Sequence, residues 1–126
     1  MGYMYDRALV TEILSQILRA ADTILYRFSQ VKTIHDLTDS PAGMEKLDSI
    51  CMQLIAIGEG LKNIDKTTDH TLLAEFPEIN WEGAKTMRDI MAHHYFRIDA
   101  EIVFEVCENK ITPLRDAIEK MIQKIK

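Results

Sequence analysis

Residues 47–64 read LDSICMQLIAIGEGLKNI, and they carry the most regular apolar pattern in this chain of 126 residues. Apolar side chains recur there at alternating steps of three and four positions: Leu47, Ile50, Leu54, Ile57, Leu61 and Ile64. Because an α-helix has about 3.6 residues per turn, this spacing places all of them on one face. The stretch therefore predicts a helix whose apolar stripe packs against other helices.

The predicted helix extends beyond the stripe, over residues 41–65. Asp39 or Ser40 is suited to cap it, and Pro41 has a backbone angle already set for a first helical turn. Two glycines, Gly58 and Gly60, lie inside it, although a glycine in mid-helix costs about 1 kcal/mol relative to alanine. Either another helix crosses closely at these positions or the helix merely tolerates them, and the sequence leaves both explanations open.

Weaker versions of the same pattern predict the remaining helices. A first helix covers residues 6–28, with apolar positions Val10, Ile13, Ile17, Ala20, Ile24 and Phe28. The following connection has a short helical piece at residues 34–37. After a turn at residues 65–69 and a short helix at residues 70–76 stopped by Pro77, a helix capped by Asn80 begins at Trp81.

Asp99 is expected to begin the C-terminal helical region. One apolar phase runs through it, at Val103, Cys107, Ile111, Leu114, Ile118, Met121 and Ile125. Pro113 removes a backbone hydrogen bond, so a kink or break is expected near Asn109. No strand-like alternation is present, and the fold class is all-α: an antiparallel bundle of about four or five helices in a single domain, residues 1–126.

Composition restricts the function. The net charge of −5 argues against a protein that holds nucleic acid by bulk electrostatics. No apolar run is long enough to span a membrane and the first residues lack a secretory pattern, so a cytoplasmic protein without membrane contact is expected. Cys51 and Cys107 are isolated from each other in sequence and are predicted to be buried, reduced thiols.

The densest chemistry lies in residues 87–96, MRDIMAHHYF. Phosphate-loop, nucleophile-elbow and HExxH motifs are absent from the chain, as is any Glu-x-x-His. Adjacent helical residues such as His93 and His94 point about 100° apart, and no third ligand is evident. Neither a metal nor a cofactor is therefore expected.

The spacing within this stretch suggests half of a site. Asp89 and His93 are four positions apart, so the carboxylate could orient the imidazole or raise its pKa. Arg88 and His93 are five apart, about 140° around a regular helix. They can meet at one phosphate only if the helix loosens near His93 or a second copy of the chain supplies the other half. Tyr95, about 20° from Arg88 around the axis, could share its pocket.

The pattern of Arg88, four residues, His93, one residue and Tyr95 resembles the RX4HXY signature of HEPN domains, specifically the HepT-like toxins. The resemblance extends to residues 57–59 (IGE), to Trp81, and to residues 95–99 (YFRID). It covers the second half of the chain well, whereas the first helix matches only in length and character.

The resemblance implies a metal-independent endoribonuclease that acts as a homodimer. His93 would be the general acid or base for attack of a ribose 2′-hydroxyl on the adjacent phosphate, and Arg88 would stabilise the charge on the phosphoryl oxygens. Asp89 would help to orient the histidine. The resemblance further implies a type VII-like toxin–antitoxin system. In such a system a minimal nucleotidyltransferase antitoxin attaches AMP to Tyr95, and the adduct blocks the cleft between the two motif helices of the dimer.

Two other functional classes remain open. The chain could be a non-catalytic nucleotide- or substrate-binding subunit of a nucleotidyltransferase, or a purely structural dimerisation bundle. RNA binding would rest on a local positive patch: Lys85, Arg88, His93, His94 and Arg97. For other residues the structural interpretation is preferred: Trp81 as a core or interface anchor, His94 as a solvent or dimer contact, and Glu59 as a solvated side chain.

Overall fold

The computed structural model describes residues 4–93 and 99–126, and of residues 90, 92 and 93 only the backbone. The described residues form six α-helices and no strand: α1 (Arg7–Phe28), α2 (His35–Thr38), α3 (Pro41–Thr68), α4 (Trp81–His93), α5 (Ala100–Asn109) and α6 (Ile111–Ile125). A single 3-10 turn, Leu73–Glu75, lies between α3 and α4. The all-α class predicted from the sequence is confirmed.

Helix α3 is the longest element, and it begins as predicted. The Ser40 hydroxyl accepts a hydrogen bond from the Gly43 backbone N–H at 3.0 Å, and Pro41 occupies the first turn. All six residues of the apolar stripe are buried. The predicted turn at residues 65–69 is wrong, because α3 continues to Thr68 and ends on the left-handed residue Asp69. Asp65 is buried, so its side chain does not mark a loop.

Both glycines of α3 lie at close helix contacts. A Cβ atom built on Gly58 would be 2.4 Å from Cβ of Arg88 in α4. One built on Gly60 would be 2.7 Å from Cγ1 of Ile17 in α1. The first of the two explanations left open by the sequence is therefore correct, since two different helices approach α3 where it has no side chain.

Helix α1 packs against α3 and α6, and the core lies between these three helices. The apolar phase predicted for the C-terminal region is buried at every position, although the helix is interrupted between Asn109 and Ile111. The break predicted near Asn109 is thus confirmed. Cys51 and Cys107 are free and buried, and burial raises their pKa values to about 11 and about 12. No described helix is long and apolar enough to cross a bilayer.

Candidate functional site

Helix α4, which carries the RX4H part of the motif, is fixed at its start by two local contacts. The Asn80 side chain accepts a hydrogen bond from the Gly83 N–H at 3.0 Å, as expected of a helix cap. The indole N–H of Trp81 donates to the Phe76 carbonyl at 2.9 Å, and the ring is buried. Trp81 is therefore a core anchor that sets where α4 begins.

Among the described residues α4 packs mainly on α3, and three levels of ion pairs cross the seam. The pairs, each with its α3 member first, are Asp65–Lys85, Lys62–Asp89 and Glu59–Arg88. The α3 members are three residues apart, so they lie on one side of that helix. Asp65, near the end of α3, pairs with Lys85 near the start of α4, whereas Gly58, about two turns earlier in α3, lies against Arg88, one turn later in α4, so the two helices run antiparallel.

Arg88 packs directly against Gly58 of α3. Its Cβ lies in the space that a side chain at position 58 would need. Its Nη1 donates to Asp89 Oδ1 at 3.0 Å. Its Nε lies 2.8 Å from Glu59 Oε2, but the N–H is not directed at that oxygen, so this contact is an ion pair without a good hydrogen bond. The side chain remains 35% exposed, which leaves the guanidinium accessible to a ligand.

Asp89 joins two cations. Lys62 Nζ lies 3.0 Å from its Oδ1 and 3.3 Å from its Oδ2, and Arg88 contacts the same Oδ1. The hydrogen bonds from Lys62 and then Arg88 lower the pKa of Asp89, since both favour the charged carboxylate. The hydrogen bond to Asp89, together with the charge of Glu59, raises the pKa of Arg88. The guanidinium is thus a permanent cation.

The ion pair nearest the start of α4, between Lys85 and Asp65, is the most buried of the three. Lys85 Nζ lies 2.5 Å from Asp65 Oδ2 and 2.7 Å from Glu82 Oε1, and only 13% of the Lys85 side chain is exposed. His70 Nδ1 is 3.4 Å from the same Asp65 oxygen. Burial acts to lower the pKa of Lys85, but the hydrogen bonds to Asp65 and Glu82 raise it overall. Lys85 therefore holds α4 on α3, and its charge is compensated within the protein.

The remaining motif residues lie partly outside the described part of the chain. The backbone of α4 is continuous to His93, so positions 88 and 93 are about 140° apart around its axis. The His93 side chain, and residues His94, Tyr95 and Arg97, lie outside the described residues. The expected support of His93 by Asp89 therefore stays a prediction.

A cavity of about 470 Å³ lies beside α4, bounded by α3, α5 and α6. Its walls are mainly apolar, and α4 contributes Gly83, Ala84 and Met87 to it. Among the described side chains, no three His, Cys, Asp or Glu residues are grouped as metal ligands. The ion pairs formed by the described side chains of α4 thus lie away from this cavity, at the seam with α3.

Comparison with known proteins identifies the family. The sequence profile of the ribonuclease HepT-like family matches residues 13–121, which include the whole of α3 and α4 and the Arg88-to-Tyr95 signature. The chain belongs to the HepT-like family. The resemblance found in the second half of the sequence therefore extends over most of the first helix as well.

Two curated relatives illustrate the match. A Methanocaldococcus jannaschii protein named as a candidate RNase is 31% identical over 77 residues, which are 61% of this chain and 60% of the relative. A Thermococcus cleftensis protein named “Probable ribonuclease HepT” is 33% identical over 73 residues, 58% of this chain and 63% of the relative. The aligned region thus spans less than two thirds of each HepT-like relative. No solved structure matches the chain significantly.

The sequence did not predict two contacts at the seam between α3 and α4, those of Glu59 with Arg88 and of Lys62 with Asp89. Glu59 was expected to be solvated, and its side chain is indeed 52% exposed, but it also contacts Arg88. Lys62 lies 27 positions from Asp89, and no local spacing relates them. The one feature of the sequence that pointed to Glu59 was its place in residues 57–59, a stretch that resembles the HepT-like family. Of the expected positive patch, Lys85 and Arg88 have described side chains, and both pair with carboxylates. Lys62 adds a cation from α3, paired with Asp89.

Proposed function

We propose that this HepT-like protein is a metal-independent endoribonuclease, the toxin of a type VII-like toxin–antitoxin system. The observation that carries the proposal is the family match over residues 13–121, which contains Arg88, His93 and Tyr95 at the signature spacing. An arginine that is 35% exposed at a helix seam supports it, because such a group can reach an RNA phosphate.

In the proposed reaction a ribose 2′-hydroxyl loses its proton and its oxygen attacks the adjacent phosphorus, with His93 as the general base of this step or the general acid of the next. Arg88 stabilises the negative charge on the phosphoryl oxygens in the transition state. The bond to the 5′-oxygen of the next nucleotide breaks, and a general acid returns a proton to that oxygen. The products are a 2′,3′-cyclic phosphate and a 5′-hydroxyl, and no metal ion takes part.

We propose a homodimer in which each site combines residues of two chains. Positions 88 and 93 are about 140° apart on a continuous helix, so one copy of α4 does not readily direct both at a single phosphate. Within the described residues α4 packs mainly on α3, which leaves another side of α4 available to a second copy. Tyr95 of the RX4HXY signature is the proposed site of AMP attachment by a minimal nucleotidyltransferase antitoxin.

The test of the nuclease is RNA cleavage in excess EDTA by unmodified protein. Cleavage should persist, and His93→Ala and Arg88→Ala should each reduce the rate by about 100-fold or more. Lys46→Gln, which removes a cation from the far end of α3, serves as the control and should cleave normally. Intact RNA with the native chain would refute the nuclease and favour the non-catalytic binding subunit.

Mixing the two inactive variants tests the composite site. If Arg88 and His93 come from different chains, a heterodimer of Arg88→Ala and His93→Ala subunits contains one complete site. After random exchange, about a quarter of the native activity should return. A mixture that stays inactive, although exchange is verified, would place both residues of each site in one chain.

The modification at Tyr95 is tested by intact-mass measurement after co-expression with a cognate nucleotidyltransferase. AMP additions are expected on the native chain and should be lost in Tyr95→Phe. Additions retained by Tyr95→Phe would exclude this tyrosine as the acceptor.

A further inference from the structure

We propose that Lys62 is a second phosphate-contacting residue of the RNA site and acts from α3 beside Arg88. The inference rests on the proposed ribonuclease function and adds to it a residue outside the RX4HXY signature. It arises from the seam between α3 and α4, where the two cations meet at one carboxylate.

The two cations are close enough to hold one phosphate. Lys62 Nζ and Arg88 Nη1 each lie 3.0 Å from the same oxygen, Asp89 Oδ1, so the two nitrogens are at most about 6 Å apart. The carboxylate therefore occupies the kind of position that a phosphate oxygen takes between two donors. A phosphodiester at this place would meet one cation from each helix.

Both cations can reach an incoming ligand. The side chain of Lys62 is 39% exposed and that of Arg88 is 35% exposed. Lysine has three N–H donors and arginine has five, and the contacts of Arg88 with Glu59 and Asp89 engage only Nε and Nη1. Donors thus remain at Nη2 of Arg88, and the ammonium of Lys62 can rotate.

Exchange of partners at this site is energetically easy. The Asp89 side chain is 45% exposed, and ion pairs in such surroundings contribute little to stability because water screens them. A phosphate can therefore join or replace the carboxylate at Lys62 without a large loss. Lys85 differs in this respect, since it is 13% exposed and bound by Asp65 and Glu82.

Binding of a non-cleavable RNA tests the proposal separately from catalysis. The affinity of a single-stranded 2′-O-methyl oligonucleotide is measured over a range of salt concentrations for the native chain, Lys62→Gln, Lys62→Arg and Lys46→Gln. Lys46 lies on the same helix, 16 residues and about 24 Å from Lys62, so it controls for the loss of one charge. Thermal unfolding verifies that each variant is folded.

We expect Lys62→Gln to weaken binding about five- to tenfold at low salt and to reduce the slope of log affinity against log salt by about 0.7, the loss of one phosphate contact. Lys62→Arg should restore the slope, and Lys46→Gln should match the native chain. Equal slopes for all four proteins, or equal losses in Lys62→Gln and Lys46→Gln, would overturn the role of Lys62 while leaving cleavage by the native chain intact. If the native chain neither binds nor cleaves RNA, the proposed function itself fails.

Discussion

Gly58 of α3 lies directly beneath Arg88 of α4: a Cβ atom on the glycine would be 2.4 Å from Cβ of the arginine and 3.2 Å from its backbone nitrogen. The atoms in conflict belong to the stem and backbone of α4, which cannot rotate away. The position of the arginine along the seam is therefore set by a residue 30 positions earlier that has no side chain.

Gly58→Ala should displace α4 and destabilise the protein. Alanine favours helix by about 1 kcal/mol relative to glycine, but overpacking typically costs about 1–3 kcal/mol, and here the backbone must move. We expect a net loss of up to about 2 kcal/mol in the free energy of unfolding, together with reduced RNA cleavage per folded molecule.

Gly60→Ala is the matched control, because it makes the same change two residues away against Ile17 of α1. It should alter stability without lowering the cleavage rate of the folded protein. Equal effects of both substitutions on cleavage would contradict a specific role for the Gly58 contact.

Glu59→Gln should strengthen RNA binding. The Glu59 carboxylate is 2.8 Å from Arg88 Nε, but that N–H is not aimed at it, so the glutamate contributes negative charge more than orientation. Removing one charge near a bound phosphate should lower the dissociation constant about two- to threefold at low salt.

Glu45→Gln, at the other end of α3, should leave affinity nearly unchanged. The measurement is titration of labelled 2′-O-methyl RNA at two salt concentrations. Weaker binding by Glu59→Gln would show instead that the carboxylate positions the arginine.

The contacts of Asp89 predict an acid-dependent loss of stability. Hydrogen bonds from Lys62 and Arg88 lower the pKa of Asp89 below its ordinary value of 3.8. A carboxyl whose pKa is lower in the folded state stabilises the fold at pH values above its unfolded pKa, and the contribution disappears as pH falls through the folded pKa.

Thermal unfolding of the native chain and Asp89→Asn between about pH 2 and 8 provides the measurement. The difference in Tm should be constant above about pH 5 and should shrink toward zero in stronger acid. A difference that widens as the pH falls would have the wrong sign for this linkage.

The pair of Asp65 and Lys85 should contribute more to stability than the exposed pairs of the same seam. Asp65→Asn leaves a largely buried ammonium with only Glu82 as a carboxylate partner, and we expect a loss of about 1–3 kcal/mol in denaturant unfolding. His70→Gln should cost less than about 0.5 kcal/mol, because the imidazole is 73% exposed.

The double variant Asp65→Asn/Lys85→Met provides the check on this pair. It should lose less than the sum of the two single variants, because the uncompensated charge is removed with its partner. Additive losses would mean that the two residues act independently.

Local pattern was sufficient for most of the fold. The three- and four-residue spacing of the α3 stripe, the Ser40 and Asn80 caps and the break near Asn109 all depend on neighbours within one or two turns. The expected turn at residues 65–69 failed for a non-local reason. Asp65 looked like a loop residue because its partner, Lys85, is 20 positions away.

The sequence by itself determined the helical class, the buried stripe, the family signature and the placement of Arg88 and Asp89 on one helix. Only the tertiary structure decided that Arg88 packs against Gly58 and contacts Glu59. It also decided that Lys62 and Arg88 both contact Asp89. Periodicity records which face of a helix is apolar, because that depends on positions a turn apart. It does not record which residues of another helix lie opposite, since that register is fixed by packing between segments distant in the chain.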